Sequence, residues 1–385
     1  MRYIIGLIVL LLVVLYILYA LIDFVNVWKP TISSDIPSLL KSHQFYPIKE
    51  PFTLRYFDNG KSLFEDMIEE INNAKKQITF SMYSVKRSIY SDILFKALSD
   101  AKKRGIHVVV ILDSIGSSVF KSLGINAIKY NKFSLVRKNK YLSYRSHDKY
   151  LMIDDTLLYL SSFVIRKSSI ESWLESGLKI TSHFEETLNK RFIDEIVEES
   201  YALNKICIPF WSSSKHNYAL YADVYLNTIL NSKKYIYIFN PYFVPPRQII
   251  DALVKQANSY VDIHIIVLSK GDHPIINFDA KYILKEMILN ANPTYFHVYV
   301  YPHTHLHSKI MLADDDIVVF GSGNLDYRSL FQMHETGAFI RDKTLHDEIQ
   351  RHFEKVIGES RLLSTKGHSK VISELGQNTF FKTLL

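Results

Sequence analysis

Two eight-residue stretches of this chain share one pattern: His147-Asp148-Lys149-Tyr150-Leu151-Met152-Ile153-Asp154 and His307-Ser308-Lys309-Ile310-Met311-Leu312-Ala313-Asp314. Both read H-x-K-x4-D, and each defining residue of the second stretch lies 160 positions after its counterpart in the first. Glu175 and Glu335 continue the match, 28 positions after their respective histidines. A single copy would carry little weight, because histidine, lysine and aspartate are common surface residues. Two copies in register predict an internal repeat.

The segments around both stretches repeat in the same order. Each half reads as helix, strand, helix and strand, followed by two short apolar runs and a final helix. In the first half the later segments are Ser91–Lys103, Ile106–Leu112, Tyr150–Ile153, Leu157–Leu160 and Glu185–Leu203. Their counterparts are Arg247–Asn258, Ile263–Leu268, Ile310–Leu312, Ile317–Phe320 and Leu345–Val356. Such apolar strands are typical of a sheet covered on both faces. We predict an α/β fold of two pseudo-symmetric lobes, each a mixed sheet flanked by helices.

The amino-terminal segment is strongly apolar. Residues Tyr3–Ile22 carry no charge, and twenty residues in a helix span about 30 Å, the thickness of the hydrocarbon layer of a bilayer. A buried core helix is one alternative, although such helices are seldom apolar on all sides at a chain terminus. A cleaved signal peptide is the other, but this run is longer than usual and no A-x-A-like site follows it. We predict one uncleaved transmembrane helix over 3–27.

The remaining boundaries follow from the repeat. We predict a linker with three prolines over 28–50, a first lobe over 51–205 and a second lobe over 206–360. Residues 361–385 form a tail without an assignment.

Composition limits the class of protein. With 385 residues, 48% apolar and 22% charged, the chain is globular, which excludes disordered and collagen-like sequences. Its single cysteine, Cys207, excludes an intramolecular disulfide and a cysteine-based zinc cluster. The net charge of +7 indicates contact with anionic surfaces or substrates and leaves lipid and nucleic acid open.

The repeated residues suit phosphoryl chemistry. On a strand, residues i and i+2 face the same way, so each histidine and its lysine point into one site. An imidazole is a nucleophile near neutral pH, and an ammonium group neutralises phosphoryl oxygens without a metal ion. A carboxylate against the other ring nitrogen fixes the tautomer and stabilises the imidazolium. Two histidines from facing lobes therefore supply the nucleophile and the acid of a two-step displacement. The alternative is two structural histidine–carboxylate pairs beside solvated lysines.

At these residues the chain resembles the phospholipase D superfamily, whose signature is H-x-K-x4-D-x6-G-S-x-N. The second copy fits the whole signature through Gly321-Ser322-Gly323-Asn324. Within the superfamily the chain is most similar to bacterial cardiolipin synthases, in Asn240-Pro241-Tyr242-Phe243-Val244-Pro245 and in Leu325-Asp326-Tyr327-Arg328-Ser329. The likeness spans residues from about 55 to 360. It implies two phospholipase D-like lobes preceded by an amino-terminal membrane segment.

The resemblance implies a covalent mechanism that uses no cofactor and no metal ion. One histidine attacks a phosphodiester to form a phosphohistidine, and the other protonates the leaving alcohol and then deprotonates the incoming one. In a cardiolipin synthase both lipids are phosphatidylglycerol, and glycerol leaves. The implied catalytic residues are His147, Lys149, Asp154, His307, Lys309 and Asp314. The supporting residues, which orient the imidazoles, are Glu175 and Glu335, and the phosphate-binding residues are Ser162, Ser322 and Asn324.

Roles within this set are assigned by the resemblance. It favours His147 as the nucleophile and His307 as the acid, although the pseudo-symmetry makes the two roles nearly interchangeable. Lys149 and Lys309 would hold the phosphoryl oxygens. The two aspartates lie farther along their strands, where they brace the site instead of performing a chemical step.

The first copy departs from the signature at its end. The residues after Asp154 lead to Ser161-Ser162-Phe163-Val164, so valine stands where the family has asparagine. Valine cannot donate the hydrogen bond that asparagine gives near the phosphate. Three functions stay open: phosphatidyl transfer, cleavage of a phospholipid or nucleic acid by the same chemistry, and, because of this valine, a degenerate membrane scaffold. The predicted anchor favours a phospholipid substrate. The resemblance implies a single-pass protein of the cell membrane with a cytoplasmic catalytic domain.

Two further patterns allow more than one interpretation. Residues 129–149 contain seven lysines and arginines interleaved with four aromatic residues. This composition suits anionic headgroups, single-stranded nucleic acid or an ordinary solvated loop. Histidine occupies every second position at His303, His305 and His307. On a strand these side chains would share one face, as metal ligands do, but Lys309 on the same face disfavours a cation there.

Overall fold

The computed structural model describes residues 51–113, 116–117, 127–130, 145–184, 205–212, 220–268 and 274–363, together with Leu11, Val14 and Ile48. Several predicted segments lie outside these residues. They are the helix predicted over Glu185–Leu203, most of the basic segment 129–149, and nearly all of the predicted anchor, linker and tail. None of the described helices is both long enough and apolar enough to cross a membrane.

The first half of the chain forms one mixed sheet. Its strands are β1 (Thr53–Phe57), β2 (Gln77–Met82), β3 (His107–Asp113), β4 (Ala127–Tyr130), β5 (Lys149–Ile153), β6 (Leu157–Ser161) and β7 (Gly177–Thr181). Its described helices are α1 (Gly60–Asn73), α2 (Ile89–Lys103) and α3 (Lys167–Glu171). The strand order is β1-β7-β6-β5-β2-β3-β4. Strands β2, β3 and β4 pair in parallel, whereas β5, β6, β7 and β1 join in antiparallel pairs.

The second half repeats this sheet. Its strands are β8 (Ile206–Ser212), β9 (Tyr235–Phe239), β10 (Asp262–Leu268), β11 (Phe296–Tyr301), β12 (Ile310–Ala313), β13 (Ile317–Gly321), β14 (Glu335–Arg341) and β15 (Arg361–Leu362). Its described helices are α4 (Leu220–Asn231), α5 (Arg247–Asn258), α6 (Pro274–Asn290), α7 (Tyr327–Phe331) and α8 (Lys343–Gly358). The order β8-β14-β13-β12-β9-β10-β11 matches the first sheet strand for strand. The prediction of two mixed-sheet α/β lobes is confirmed, and β15 adds an eighth strand just past the predicted boundary at 360.

Capping residues set the helix starts that the sequence pattern missed. The predicted Arg247–Asn258 is α5 itself, but α2 begins at Ile89 instead of Ser91. The Ser88 hydroxyl accepts the Ser91 amide at 3.3 Å, and the Ser91 hydroxyl accepts the Ser88 amide at 2.9 Å. These reciprocal bonds satisfy two amides that a helix start leaves unpaired. Helix α8 likewise begins two residues before its predicted start, because Asp342 caps it.

A shared apolar layer joins the two lobes. Leu160 of β6 lies in one buried cluster with Leu312 of β12 and Phe320 of β13. Phe353 of α8 belongs to the same cluster and stacks on Phe239, with ring centres 3.7 Å apart. Full burial of one such side chain contributes about 1.5–3 kcal/mol. The lobes are therefore held in one arrangement, which positions the residues described below.

Candidate active site

A backbone bridge brings the first motif to the second lobe. Ser146 pairs with His334, and the amide of His147 donates to the carbonyl of His334 at 2.8 Å. Since Glu335 follows His334, its carboxylate reaches the neighbouring imidazole. Both of its oxygens lie 2.9 Å from Nδ1 of His147.

A second bridge repeats this contact in the opposite direction. The amide of Leu174 donates to the carbonyl of His305, and the amide of His307 donates to the carbonyl of Leu174, both at 2.9 Å. Both carboxylate oxygens of Glu175 then lie 3.0 Å from Nδ1 of His307. Each histidine is thus oriented by the glutamate of the other lobe, a pairing that the sequence spacing did not specify.

The lysines lie against the same histidines. Nζ of Lys149 is 2.9 Å from Nε2 of His147 and donates to the carbonyl of His147 at 3.0 Å. Nζ of Lys309 donates to the carbonyl of His307. All four side chains are at least nine-tenths buried. Because a carboxylate occupies each Nδ1, Nε2 is the ring nitrogen left for chemistry.

Serine hydroxyls hold both carboxylates. Ser162 donates to Glu175 at 2.6 Å, and Ser322 donates to Glu335 at 2.6 Å. The sequence predicted that these two serines bind phosphate. In this structure each serine hydrogen-bonds a glutamate, because each hydroxyl lies next to a buried carboxylate that needs a donor.

A second pair of serines supports the same carboxylates. Ser169 donates to Glu175 at 2.5 Å, and Ser329 forms a side-chain hydrogen bond with Glu335. The sequence analysis missed both residues. They lie 160 positions apart, so the repeat spacing was the signal that could have found them.

Aromatic rings line the two histidines. The ring of Tyr83 lies 4.6 Å from that of His147, and the ring of Trp173 lies 5.4 Å from that of His307. The indole comes from the first lobe although its histidine belongs to the second. These neighbours were not predicted, because no repeated spacing marks them.

Burial shifts the ionisation of this site. Burial above all, and then the charges of Lys149 and Lys309, lower the pKa of His147 well below its usual range. Burial also lowers the pKa of Lys149 to about 8 and that of Lys309 to about 7. At neutral pH the imidazole of His147 is therefore unprotonated and available as a nucleophile.

The two glutamates differ in ionisation despite their similar geometry. Burial raises the pKa of Glu335 to about 7, although Lys149 and the nearby serines oppose it. Burial acts in the same direction on Glu175, but His307, Lys309 and Ser162 together outweigh it and lower the pKa of this carboxyl. An ionised Glu175 favours the protonated form of His307, but burial outweighs this effect and lowers the pKa of the imidazole to about 3.

The ends of the two signature copies also differ. Asn324 is more than nine-tenths buried, and its Oδ1 has no hydrogen-bond partner among the described residues. Val164, at the corresponding position, packs into the apolar core of the first lobe. Only the second copy therefore presents an amide at this position.

Asp154 and Asp314 lie away from the histidines. Both follow their strands in left-handed turns, with φ of 53° and 51°. The Asp154 carboxylate accepts the amides of Lys75, Lys76 and Gln77 at 2.6–3.0 Å. Asp314 accepts the amides of Lys233 and Lys234 in the second lobe at 2.9 and 2.8 Å. This placement agrees with the bracing role expected for both aspartates and corrects their place in the catalytic set, because the five residues of β5 put Asp154 about 15 Å along the strand from Lys149.

The alternating histidines do not form a metal cluster. His305 packs on Trp173 with ring centres 4.2 Å apart, and His303 lies against Tyr301. Across the described ranges, the one group of three potential ligands whose donor atoms converge lies elsewhere, on β10 and β11.

Comparison with known proteins identifies relatives of the whole catalytic region. A family model described as "Cardiolipin synthase, PLD-like domain" matches residues 67–198 and 225–357. Cardiolipin synthase 1 of Staphylococcus epidermidis is 27% identical, over 87% of this chain and 74% of the relative. A cardiolipin synthase of Clostridium perfringens is 28% identical, over 84% of this chain and 74% of the relative.

Solved structures share the two-lobed fold. The phosphatidylserine synthase of Haemophilus influenzae matches with a TM-score of 0.66 at 14% identity, covering 89% of this chain and 96% of that one. The polyphosphate kinase of Porphyromonas gingivalis matches with a TM-score of 0.51 at 13% identity, covering 88% and 53%. At these identities the likeness concerns the fold alone.

The placement of Asp154 predicts a structural role. We expect Asp154→Ala to lower the free energy of unfolding by about 2–3 kcal/mol, because it removes a charged acceptor of three amides and puts alanine in a left-handed turn. Asp154→Asn should cost less, since asparagine tolerates this conformation and keeps one acceptor. Urea unfolding monitored by circular dichroism measures both. Equal stability of the alanine variant and the wild type would contradict this role.

Proposed function

Because the chain belongs to the cardiolipin synthase family of phospholipase D-like proteins, we propose that it makes cardiolipin by transferring a phosphatidyl group between two phosphatidylglycerol molecules, with release of glycerol. One observation carries the mechanism: two buried imidazoles, each held at Nδ1 by a glutamate of the opposite lobe. A displacement in two steps needs a nucleophile and a proton carrier at one phosphorus atom.

In the first step Nε2 of His147 attacks phosphorus and the bond from phosphorus to the glycerol oxygen breaks. His307 gives its proton to that oxygen, and a phosphohistidine remains. Burial lowers the pKa of both imidazoles, to about 3 for His307, so both rings are neutral in the free protein. The low pKa of His147 supports its role as nucleophile, and the charge of Glu175, which opposes the shift at His307, supports His307 as the residue that carries the proton. Lys149 and Lys309 neutralise the non-bridging oxygens.

In the second step a hydroxyl of another phosphatidylglycerol attacks phosphorus. His307 takes the proton of that hydroxyl, the bond between phosphorus and Nε2 of His147 breaks, and both histidines return to their initial forms. If water replaces the lipid alcohol, the product is phosphatidic acid. The identity of the acceptor therefore decides between transfer and hydrolysis.

A basic cleft beside the site suits an acceptor that carries its own phosphate. The cleft, of about 500 Å³, is lined by Lys86, Arg87, Ser88, Arg166, Lys167, Ser168, Glu171 and Ser172. The guanidinium of Arg166 lies 4.7 Å from the ring of Trp173, which lies 5.4 Å from that of His307. These two spacings put Arg166 within about 10 Å of the imidazole. We propose that the cleft binds the phosphate of the acceptor lipid.

The lipid substrate also suggests where the protein acts. We propose a single-pass protein of the cell membrane, held by the apolar segment predicted as an anchor over 3–27, with the catalytic lobes on the cytoplasmic side. The absence of charge in Tyr3–Ile22 supports the anchor, and the family's lipid substrate supports a position at the bilayer surface.

Phosphatidylglycerol vesicles test the reaction itself. We expect equimolar glycerol and cardiolipin from the purified full chain, measured by enzymatic glycerol assay and lipid mass spectrometry. Because the lobes share one site, His147→Asn and His307→Asn should each lower the rate by about 10³-fold or more. His107→Asn, an exposed histidine on β3, is the matched control.

Phosphatidic acid as the main product would indicate hydrolysis, and cleavage of an oligonucleotide without lipid turnover would indicate a nuclease. The same variants separate the two histidine roles. A phosphohistidine should accumulate in His307→Asn, where it can still form slowly, and should be absent from His147→Asn. Substantial transfer by either variant would contradict the shared site.

The lysine pKa values predict an alkaline limit. Only the charged lysines neutralise phosphoryl oxygens, so kcat/KM should fall as pH rises through about 7 to 8, the pKa values of Lys309 and Lys149 in the free protein. Bound phosphate favours the charged forms, so the corresponding fall in kcat should occur at higher pH. Lys309→Arg should move the limit upward even where it lowers the rate, because guanidinium stays charged. Coincident limits in kcat and kcat/KM would contradict this origin.

The basic cleft predicts the ratio of products. We expect Lys86→Ala combined with Arg87→Ala to lower cardiolipin relative to phosphatidic acid by about 10- to 30-fold, since each cation near an anionic lipid contributes about 1 kcal/mol. The matched control removes two lysines elsewhere on the first lobe, Lys61→Ala with Lys96→Ala. An unchanged product ratio in the cleft variant would contradict acceptor binding there.

A further inference from the structure

The second sheet carries a group of potential metal ligands outside the catalytic site. Asp262 and His264 lie two residues apart on β10 and therefore project to the same face of the sheet. His297 of β11 is the direct partner of His264 in the parallel register. One ligand atom from each side chain lies within 4.8 Å of the other two.

The three donor groups lie close together. Nε2 of His264 lies 3.0 Å from Oδ2 of Asp262, and Nε2 of His297 lies 3.2 Å from Oδ1. Nε2 of His264 and Oδ1 of Asp262 are nevertheless buried atoms without a hydrogen-bond partner. Nitrogen and oxygen lone pairs at this separation repel each other unless a proton or a metal ion lies between them. These spacings suit one ion with bonds of about 2.0–2.2 Å to nitrogen and oxygen.

The surroundings leave Nε2 of His264 available as a ligand. Its other ring nitrogen, Nδ1, lies 3.4 Å from the hydroxyl of Tyr299. An outer partner of this kind fixes the tautomer of a metal-binding imidazole. The ring of Tyr237 stacks on His264 at 4.5 Å and limits its rotation.

We propose that Asp262, His264 and His297 bind one divalent transition-metal ion, with Zn²⁺ as the best-suited ion. Two imidazoles and one carboxylate are ligands that Zn²⁺ accepts, and water completes such a site. Asp262 remains 42% exposed, so an ion can enter from solvent. This site is separate from the proposed phosphatidyl transfer.

The position of this site indicates a structural role. Asp262 and His264 lie at the start of β10, whereas the catalytic motif enters the sheet at Ile310, opposite Phe239 at the end of β9. An ion here would join β10 to β11 without touching substrate. The first sheet lacks the ligands, because register places His107 at the position of Asp262 and Val109 at that of His264.

Zinc binding to the untagged full chain tests the proposal. After removal of metal with a chelator, equilibrium dialysis against Zn²⁺ and elemental analysis should give one tightly bound ion per chain. His264→Ala and His297→Ala should each weaken binding by about a hundredfold or more, since even loss of an outer partner costs 10- to 100-fold. The matched control, His107→Ala, should bind as the wild type does.

Bound Co²⁺ gives a second measurement that does not depend on stability. The wild type should show visible absorption of nitrogen- and oxygen-bound Co²⁺, and Asp262→Asn should reduce it while circular dichroism confirms the fold. Zn²⁺ should also raise the melting temperature of the wild type but not that of His264→Ala. No bound Zn²⁺ at micromolar concentrations, or equal binding by a variant with both histidines replaced, would overturn the proposal.

Discussion

The exchange of carboxylates between lobes is the constraint on which the site depends. Glu335 holds His147 and Glu175 holds His307, so each contact crosses from one sheet to the other. Neither lobe therefore supplies both members of either of these two pairs. The apolar layer and the two backbone bridges keep the pairs intact.

The same exchange leaves the same ring nitrogen open in both imidazoles. Each Nδ1 is occupied by a carboxylate, so both rings have Nε2 left for chemistry. The lysines add positive charge where negative charge would develop, in a site with little water to screen it. Their own burial brings their pKa values near neutrality. Burial of the two lysines is thus the physical cause of both the strong electrostatic stabilisation and the sensitivity to pH.

The constant spacing of the repeat made most of the fold predictable, because equal spacing placed equivalent strands in equivalent positions. Strands β5 and β12 lie within one residue of their predicted bounds at each end. Spacing could not reveal which lobe supplies each carboxylate, since the docking of the lobes decides this. It grouped Asp154 with the catalytic residues, although the left-handed turn after β5 directs this carboxylate to backbone amides. Ser169 and Ser329 were predictable from the same spacing, whereas Trp173 was not.

Departures from the repeat make the surroundings of the two histidines chemically different. With identical halves, both histidines would have equal pKa values, and neither would be preferred as nucleophile. Burial lowers the pKa of both imidazoles, but Glu175 keeps a low pKa beside His307, whereas burial raises the pKa of Glu335 beside His147. The valine in the first copy and the buried amide in the second add a chemical difference. The repeat thus places the two histidines symmetrically. The local differences between the lobes then give these histidines different roles in the two-step displacement.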